Sequence, residues 1–215
     1  WNHPNMPWDG CELWVAQVGD AGLTRATKVA GGARESIFQP EWSPEGVLHF
    51  LSDASGWWNL YRLPRSGEGS GEPEPLCEKE AEFATPAWVF GMRTYGFASG
   101  DSIVCTYAER GSWTLATLDT ASGQLTPFGL PYTDYSSIKV DGNVAVFRAG
   151  SPTRGAEIVQ LDLSSGETTV VSRPSSLELD EANLSVPEAV EFPTEDGHTS
   201  HAFYYAPTNA KFNGT

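Results

Sequence analysis

The side chains that could act on a substrate in this chain of 215 residues fall into a few groups. A serine nucleophile is marked by G-x-S-x-G, because the serine must stand on a sharp turn from strand to helix. The nearest approach is "GEGSG" at 67–71, but Glu68 stands two places before Ser70 and no helical pattern follows. His198 and His201 have no nucleophile near them in sequence and read as surface or strand residues. His3 and His49 fall in strand-like runs and take the same reading. The run "CEKEAEF" at 77–83 sets Glu78, Glu80 and Glu82 around Lys79 and could draw in a substrate's amino terminus by charge. Lys79 and Ala81 interrupt the acids, and such a run is ordinarily a solvated loop. Trp57 and Trp58 are the most distinctive pair. An indole there could face a bound peptide, although aromatic strand residues more commonly pack in a core.

Other chemistries find little support. Cys11, Cys77 and Cys105 are odd in number, form no C-x-x-C pair and have no metal-ligand spacing. They are expected as small apolar strand residues, in a reducing and therefore cytoplasmic setting. Asp9, Asp53, Asp119 and Asp162 read as turn-formers. No calcium loop or phosphate-binding glycine loop occurs, so no metal and no cofactor is expected. The formal net charge of −15, with 13 Lys plus Arg, speaks against nucleic acid and anionic membrane as partners. No apolar run approaches the roughly 18 residues of a membrane helix. "NLS" at 183–185 and "NGT" at 213–215 match the short glycosylation acceptor pattern, which recurs by chance. The chain begins at Trp1 with no leader and reads as an excerpt of a longer protein.

What would position these residues is a series of short strands. "ELWVAQV" (12–18), "VLHFLSD" (47–53), "SIVCTYA" (102–108), "NVAVFRA" (143–149) and others are rich in β-branched and aromatic residues and bounded by Gly, Pro, Asp and Ser. Helical periodicity is confined to a turn's worth in "SLELDEANL" (176–184). The strands repeat. "TLATLDTASGQLTPF" (114–128) matches "EIVQLDLSSGETTVV" (157–171) at a constant offset of 43, pairing Leu118 with Leu161, Asp119 with Asp162, Ser122 with Ser165 and Gly123 with Gly166. A period of about 40–50 residues with four short strands per unit is the mark of a β-propeller.

Four units follow: residues 1 to about 32, lacking its early strands, then about 36–78, 83–128 and 134–172. "QPEWSPEGVLHFLSDASGWWNLYRL" (39–63) supplies three consecutive strands of the second. Trp57 and Tyr61 are expected on one face, Trp58 and Leu60 on the other, both buried against neighbouring blades. Residues 173–186 read as a linker. Residues 187–215 open a different hairpin around Asp196-Gly197, out of phase with the blades.

Three stretches together resemble one family. "QPEWSPEG…LHFLSDASGWWNLYRL", "WNHPNMPWDGCELWVAQV" (1–18) and "EFATPAWVFGMRTYGF" (82–97) are similar to consecutive propeller blades of the prolyl oligopeptidase family, its acylaminoacyl-peptidase and dipeptidyl-aminopeptidase-like members in particular. "VEFPTEDGHTSHAFYYAPTN" resembles the segment leading from propeller to catalytic domain. The resemblance implies an all-β partial propeller over residues 1–172, followed from 187 by the first hairpin of an α/β-hydrolase domain. It further implies a Ser-Asp-His triad lying after Thr215, so that no catalytic residue is expected in this chain. The parent would cleave short peptides, the propeller restricting access to its own hydrolase domain. The adjacent glutamates that receive an amino terminus in the dipeptidyl-peptidase branch are not reproduced at 77–83.

Two alternatives remain open at this point: a non-catalytic propeller that binds a protein partner, and a propeller enzyme acting at a central metal or cofactor. The hairpin after 186 speaks against the first, and the lack of a repeating His or acid series against the second. Open strand edges of a partial ring imply self-association or a partner that completes the sheet.

Overall fold

The computed structural model describes residues 1–66, 69–175, 180–209 and 211. Strands dominate them, and their helix is limited to two 3-10 turns, Glu181–Asn183 and Glu195–Gly197. β1 (Glu12–Gly19) pairs antiparallel with β2 (Gly22–Gly31). β3 (Ile37–Trp42), β4 (Leu48–Ser52) and β5 (Asn59–Leu63) lie side by side. A small ribbon of β6 (Arg65–Ser66) and β7 (Gly69–Ser70) interrupts the chain before β8 (Glu74–Pro75) closes that sheet. β9 (Tyr95–Ser99), β10 (Ser102–Glu109), β11 (Ser112–Asp119) and β12 (Leu125–Pro127) make the next sheet. β13 (Asp134–Asp141), β14 (Val144–Ser151), β15 (Arg154–Asp162) and β16 (Thr168–Ser172) make the one after it. β17 (Pro187–Pro193) and β18 (Thr199–Tyr205) form a separate hairpin.

These are the blades of a partial propeller. In each four-stranded sheet the strands lie in chain order and every neighbour is antiparallel. The apolar cores lie between sheets. Leu48, Phe50, Tyr61 and Leu63 pack against Leu13, Val15 and Val29 of the first blade. Phe38, Leu51 and Leu60 of the second meet Tyr95, Ile103 and Leu118 of the third. Val104 and Leu115 of the third meet Ile138, Phe147 and Leu161 of the fourth. A strand with cores on both sides has no polar face, so all five residues of β4 are buried.

The 43-residue repeat is a repeated turn. The Asp119 carboxylate accepts from Ala121 N, Ser122 N and Ser122 Oγ at 3.1, 2.7 and 2.7 Å. The Asp162 carboxylate accepts from Ser164 N, Ser165 N and Ser165 Oγ at 2.9, 2.9 and 3.2 Å. Gly123 and Gly166 follow at φ 72° and 74°, where a side chain would be strained. The Ser122 contacts hold the Asp119 carboxyl below its ordinary range, and the Ser165 contacts do the same for Asp162.

Several local expectations change. Trp57 and Trp58 are not strand residues. The turn after β4 runs to Trp58 and β5 begins at Asn59, so the two indoles do not alternate across a blade. His3 lies in an N-terminal turn rather than a strand, while His198, in the turn before β18, is exposed, in keeping with a surface residue. Of the cysteines only Cys105 is a strand residue. Cys11 precedes β1, where its Sγ accepts from Ile37 N at 3.0 Å, and Cys77 follows β8. "NGT" at 213–215, part of "GEGSG" with its Glu68, and 176–179 of the helix-like run lie outside the described residues.

Candidate functional site

Antiparallel order puts particular segments at one end of the blades. The first strand of each full blade starts there, so its entry loop lies there too (32–36, 84–94 and 128–133). So do the turns between second and third strands (53–58, 110–111 and 152–153). Both tryptophans of the sequence reading are at this end. Trp58 turns inward, half-buried against the second core and edge-to-face with Phe38 at 6.2 Å. Trp57 is exposed. The structure therefore parts the two: Trp58 braces the blade and Trp57 faces solvent.

The acidic run is engaged in holding this end together. Glu82 Oε2 accepts from Trp58 N at 3.1 Å, and Phe83 N donates to Trp58 O at 2.8 Å. Asn59 clamps Lys79 through both backbone groups: Lys79 N donates to Oδ1 at 2.9 Å and Nδ2 donates to Lys79 O at 3.0 Å. Lys79 Nζ reaches Glu109 Oε1 at 2.9 Å and lies 5.4 Å from the Tyr107 ring centroid. The Glu109 contact pushes the Lys79 ammonium pKa up. Glu78 and Glu80 remain exposed, apart from this network.

Sequence reasoning missed the loop that enters the third blade. "EFATPAWVFGMRTYGF" reads as the start of the third blade, and within it β9 begins only at Tyr95. Trp88, Val89 and Phe90 stand exposed on a loop, with Trp88 resting on Trp8 at 4.4 Å between ring centroids. Pro86 and Gly91, on either side of the three, were the available signal.

The second hairpin reaches this same end. Phe203 of β18 packs on Gly111, where an added Cβ would lie 2.3 Å from Phe203 Cζ. Glu191 of β17 lies 4.0 Å from Arg110 Nε and 3.6 Å from His201 Nδ1. Where the chain leaves the fourth blade, the buried Glu157 carboxylate accepts from Arg173 Nε at 2.7 Å and Tyr132 OH at 2.9 Å. Burial opposes its ionisation, but these donors outweigh that and hold its pKa low. Arg173, the first residue after β16, is thereby anchored to β15.

Acid–base chemistry is poorly served at this end. His49 is buried within the second blade, with Nδ1 3.0 Å from Val47 O and its ring against Phe97, and burial pushes its pKa down. Burial likewise pushes the Cys105 thiol pKa far up. Asp9 accepts from Met6 N and Asp53 from Ser36 N, each at 2.7 Å, which are structural duties. Among the described residues no group of three or more His, Cys, Asp or Glu could hold a metal. No helix among them is long and apolar enough to cross a membrane. Among the described residues this end offers apolar and aromatic surface beside the exposed Glu78 and Glu80.

No family model matches the chain, and no curated protein does. Solved structures do. A puromycin-hydrolyzing peptidase of Mycobacterium tuberculosis is 32% identical over 98% of this chain, with a TM-score of 0.89. A puromycin hydrolase is 34% identical over the whole chain, with a TM-score of 0.88. The chain spans 32% of the length of each. Prolyl oligopeptidase B from Galerina marginata, 15% identical over 92% of this chain and matched over 27% of its own length, shares the fold with a TM-score of 0.70. Blades in this order, followed by a separate hairpin and matched over 98% or more of the chain by the two puromycin-hydrolysing proteins, place the chain in the prolyl oligopeptidase family, as a portion about one third the length of those relatives.

Proposed function

We propose that this chain is the gating and scaffolding part of a serine peptidase that hydrolyses short peptides and aminoacyl amides. In this reading residues 1–172 are propeller, 173–186 are linker, and 187–215 begin an α/β-hydrolase domain whose Ser-Asp-His triad lies beyond Thr215. The observation that carries it is the hairpin β17–β18. It is out of phase with the blades and packs on the third blade's turn through Phe203 and Gly111. A free-standing binding propeller has no need of it. The puromycin-hydrolysing relatives supply the substrate class. Trp57, exposed at the same end, is the side chain of the pair placed to meet a substrate, while Trp58 supports its turn.

The test is hydrolysis of puromycin and of chromogenic aminoacyl and acyl-peptide substrates. The longer protein that contains this chain is expected to turn them over and to be stopped by a serine-directed inhibitor. The 215-residue chain alone is expected to turn over none. Inhibitor-sensitive turnover by the short chain, or none by the longer protein, overturns the proposal.

A second consequence concerns assembly. β1 is bonded to β2 on one side only, in a blade of two strands. The short chain is expected to pair through that edge. Light scattering that finds only monomer at working concentration contradicts it.

A further inference from the structure

The loop between Phe83 and β9 is inverted with respect to an ordinary surface loop. It shows its apolar side chains to solvent: Trp88 is 70% exposed, Val89 67% and Phe90 94%. It hides polar ones. Thr85 Oγ1, Arg93 Nε and Thr94 Oγ1 are buried with no hydrogen-bond partner in the chain, and among the described residues no other buried side-chain N or O is in that condition. Scattered apolar exposure is normal, but consecutive large apolar residues form a patch that marks an interaction site. Buried donors without partners are costly, so each needs its own explanation. One segment with both features is shaped for something outside itself.

Its position says what. The loop lies at the end of the blades that carries β17–β18, and that hairpin exposes Phe192, Phe203, Tyr204 and Tyr205. Trp88 is not loose, because Trp8 braces it from the first blade's leading turn. Relatives matched along the whole of this chain are about three times its length, so the greater part of such a protein lies outside residues 1–215.

We propose that the 85–94 loop is a docking arm for the part of the longer protein that would follow Thr215. Trp88, Val89 and Phe90 insert into that part, and the loop stems, from Thr85 to Thr94, adjust as it closes over them. This rests on the reading of the chain as one portion of a longer peptidase. The arm and the β17–β18 hairpin then form two separated footings for one domain, which fixes its orientation as a single footing cannot.

Hydroxyl-radical footprinting read by mass spectrometry tests this on the longer protein and on the 215-residue chain. Oxidation of Trp88 and Phe90 is expected to be slower by about fivefold in the longer protein, as when exposed surface becomes interface core. In the short chain Trp88→Ser, Val89→Ser and Phe90→Ser together are expected to leave a single urea transition, its midpoint lowered only by the loss of the Trp8 contact. In the longer protein the same triple change is expected to split one unfolding transition into two. Equal oxidation rates in the two proteins overturn the proposal. Protection in the short chain that grows with its concentration assigns the surface to a second copy and also overturns it. So does protection of the longer protein that requires added peptide. A longer protein that shields the loop yet hydrolyses nothing upholds the docking arm and overturns the peptidase reading.

Discussion

Phe83→Ala is expected to lower the unfolding free energy of the chain by about 3–5 kcal/mol. Phe83 is 1% exposed and belongs to the core shared by the second and third blades, its ring 5.4 Å from that of Tyr107. Alanine removes a whole ring from between two sheets, and sheets tied by ladders on both sides collapse little into the space. The residue also belongs to the strap that fastens Trp58, through Phe83 N to Trp58 O at 2.8 Å and Glu82 Oε2 to Trp58 N at 3.1 Å. A slack strap frees the Trp57 turn at the end where the second hairpin lies. Urea unfolding of the short chain at constant slope measures the loss, with Phe203→Ala as comparison, since Phe203 is exposed and leaves no closed cavity. A loss under about 1 kcal/mol for Phe83→Ala would mean that the interface repacks, and would remove the rigid wedge on which the gating proposal depends.

Much of the architecture was legible because it is written in turns. An aspartate that accepts from the two following serine-turn amides, with glycine at positive φ next, is a local object, and its recurrence 43 residues on marks the blade period. The hairpin around Asp196-Gly197 was legible for the same reason: both residues have positive φ, 59° and 76°. The misplacements came where local sequence is ambiguous between strand and loop. "SGWWNLYRL" carries aromatic residues throughout, but the local bond from Asn59 to Trp57 O and the bond from Trp58 N to Glu82, 24 residues on, hold Trp57 and Trp58 in a turn, and the second of these partners is out of reach of a local reading. "PAWVFGMRTYGF", read only as the opening of a blade, holds a loop that its residues do not announce. Trp88, Val89 and Phe90 have strong strand preference, and nothing within reach in sequence says that they stand in solvent. The candidate end was invisible as a site because it is assembled from loops of several blades, each unremarkable alone. The kink of the first strands was also hidden. β3 slips register between Phe38 and Glu41, and β13 between Ser136 and Lys139, around Gln39 and Ser137 at positive φ.

That kink carries the second large effect. Gln39→Ala is expected to destabilise the chain by about 2–4 kcal/mol, because buried backbone groups lose their only side-chain partner across the blades at about 1–3 kcal/mol each. Gln39 Oε1 accepts from Thr94 N at 2.8 Å, and its Nε2 donates to Tyr95 O at 2.8 Å. In return the Tyr95 hydroxyl donates to Gln39 O at 2.9 Å. The first strand of the second blade thus grips the entry of the first strand of the third, and the adjoining Arg93–Glu41 ion pair reinforces the grip. Pro40 cannot supply an amide, which is tolerated because this is a strand edge, and the bulge turns Gln39 sideways at φ 46° to reach its neighbour. The conformation and the contact are separable by mutation. Gln39→Gly loses the same hydrogen bonds but relaxes a left-handed residue, a relief of about 1–2 kcal/mol relative to alanine. The expected order of stability is therefore wild type, then glycine, then alanine, by urea midpoint at constant slope. Alanine within about 0.5 kcal/mol of wild type would show that the cross-blade contact carries no load, and glycine no better than alanine would show that the bulge relaxes without it. Because Thr94 is also the stem of the 85–94 loop, the grip sets where that loop leaves the blade, and its loss is expected to make Trp88 and Phe90 oxidise unevenly even where the fold survives.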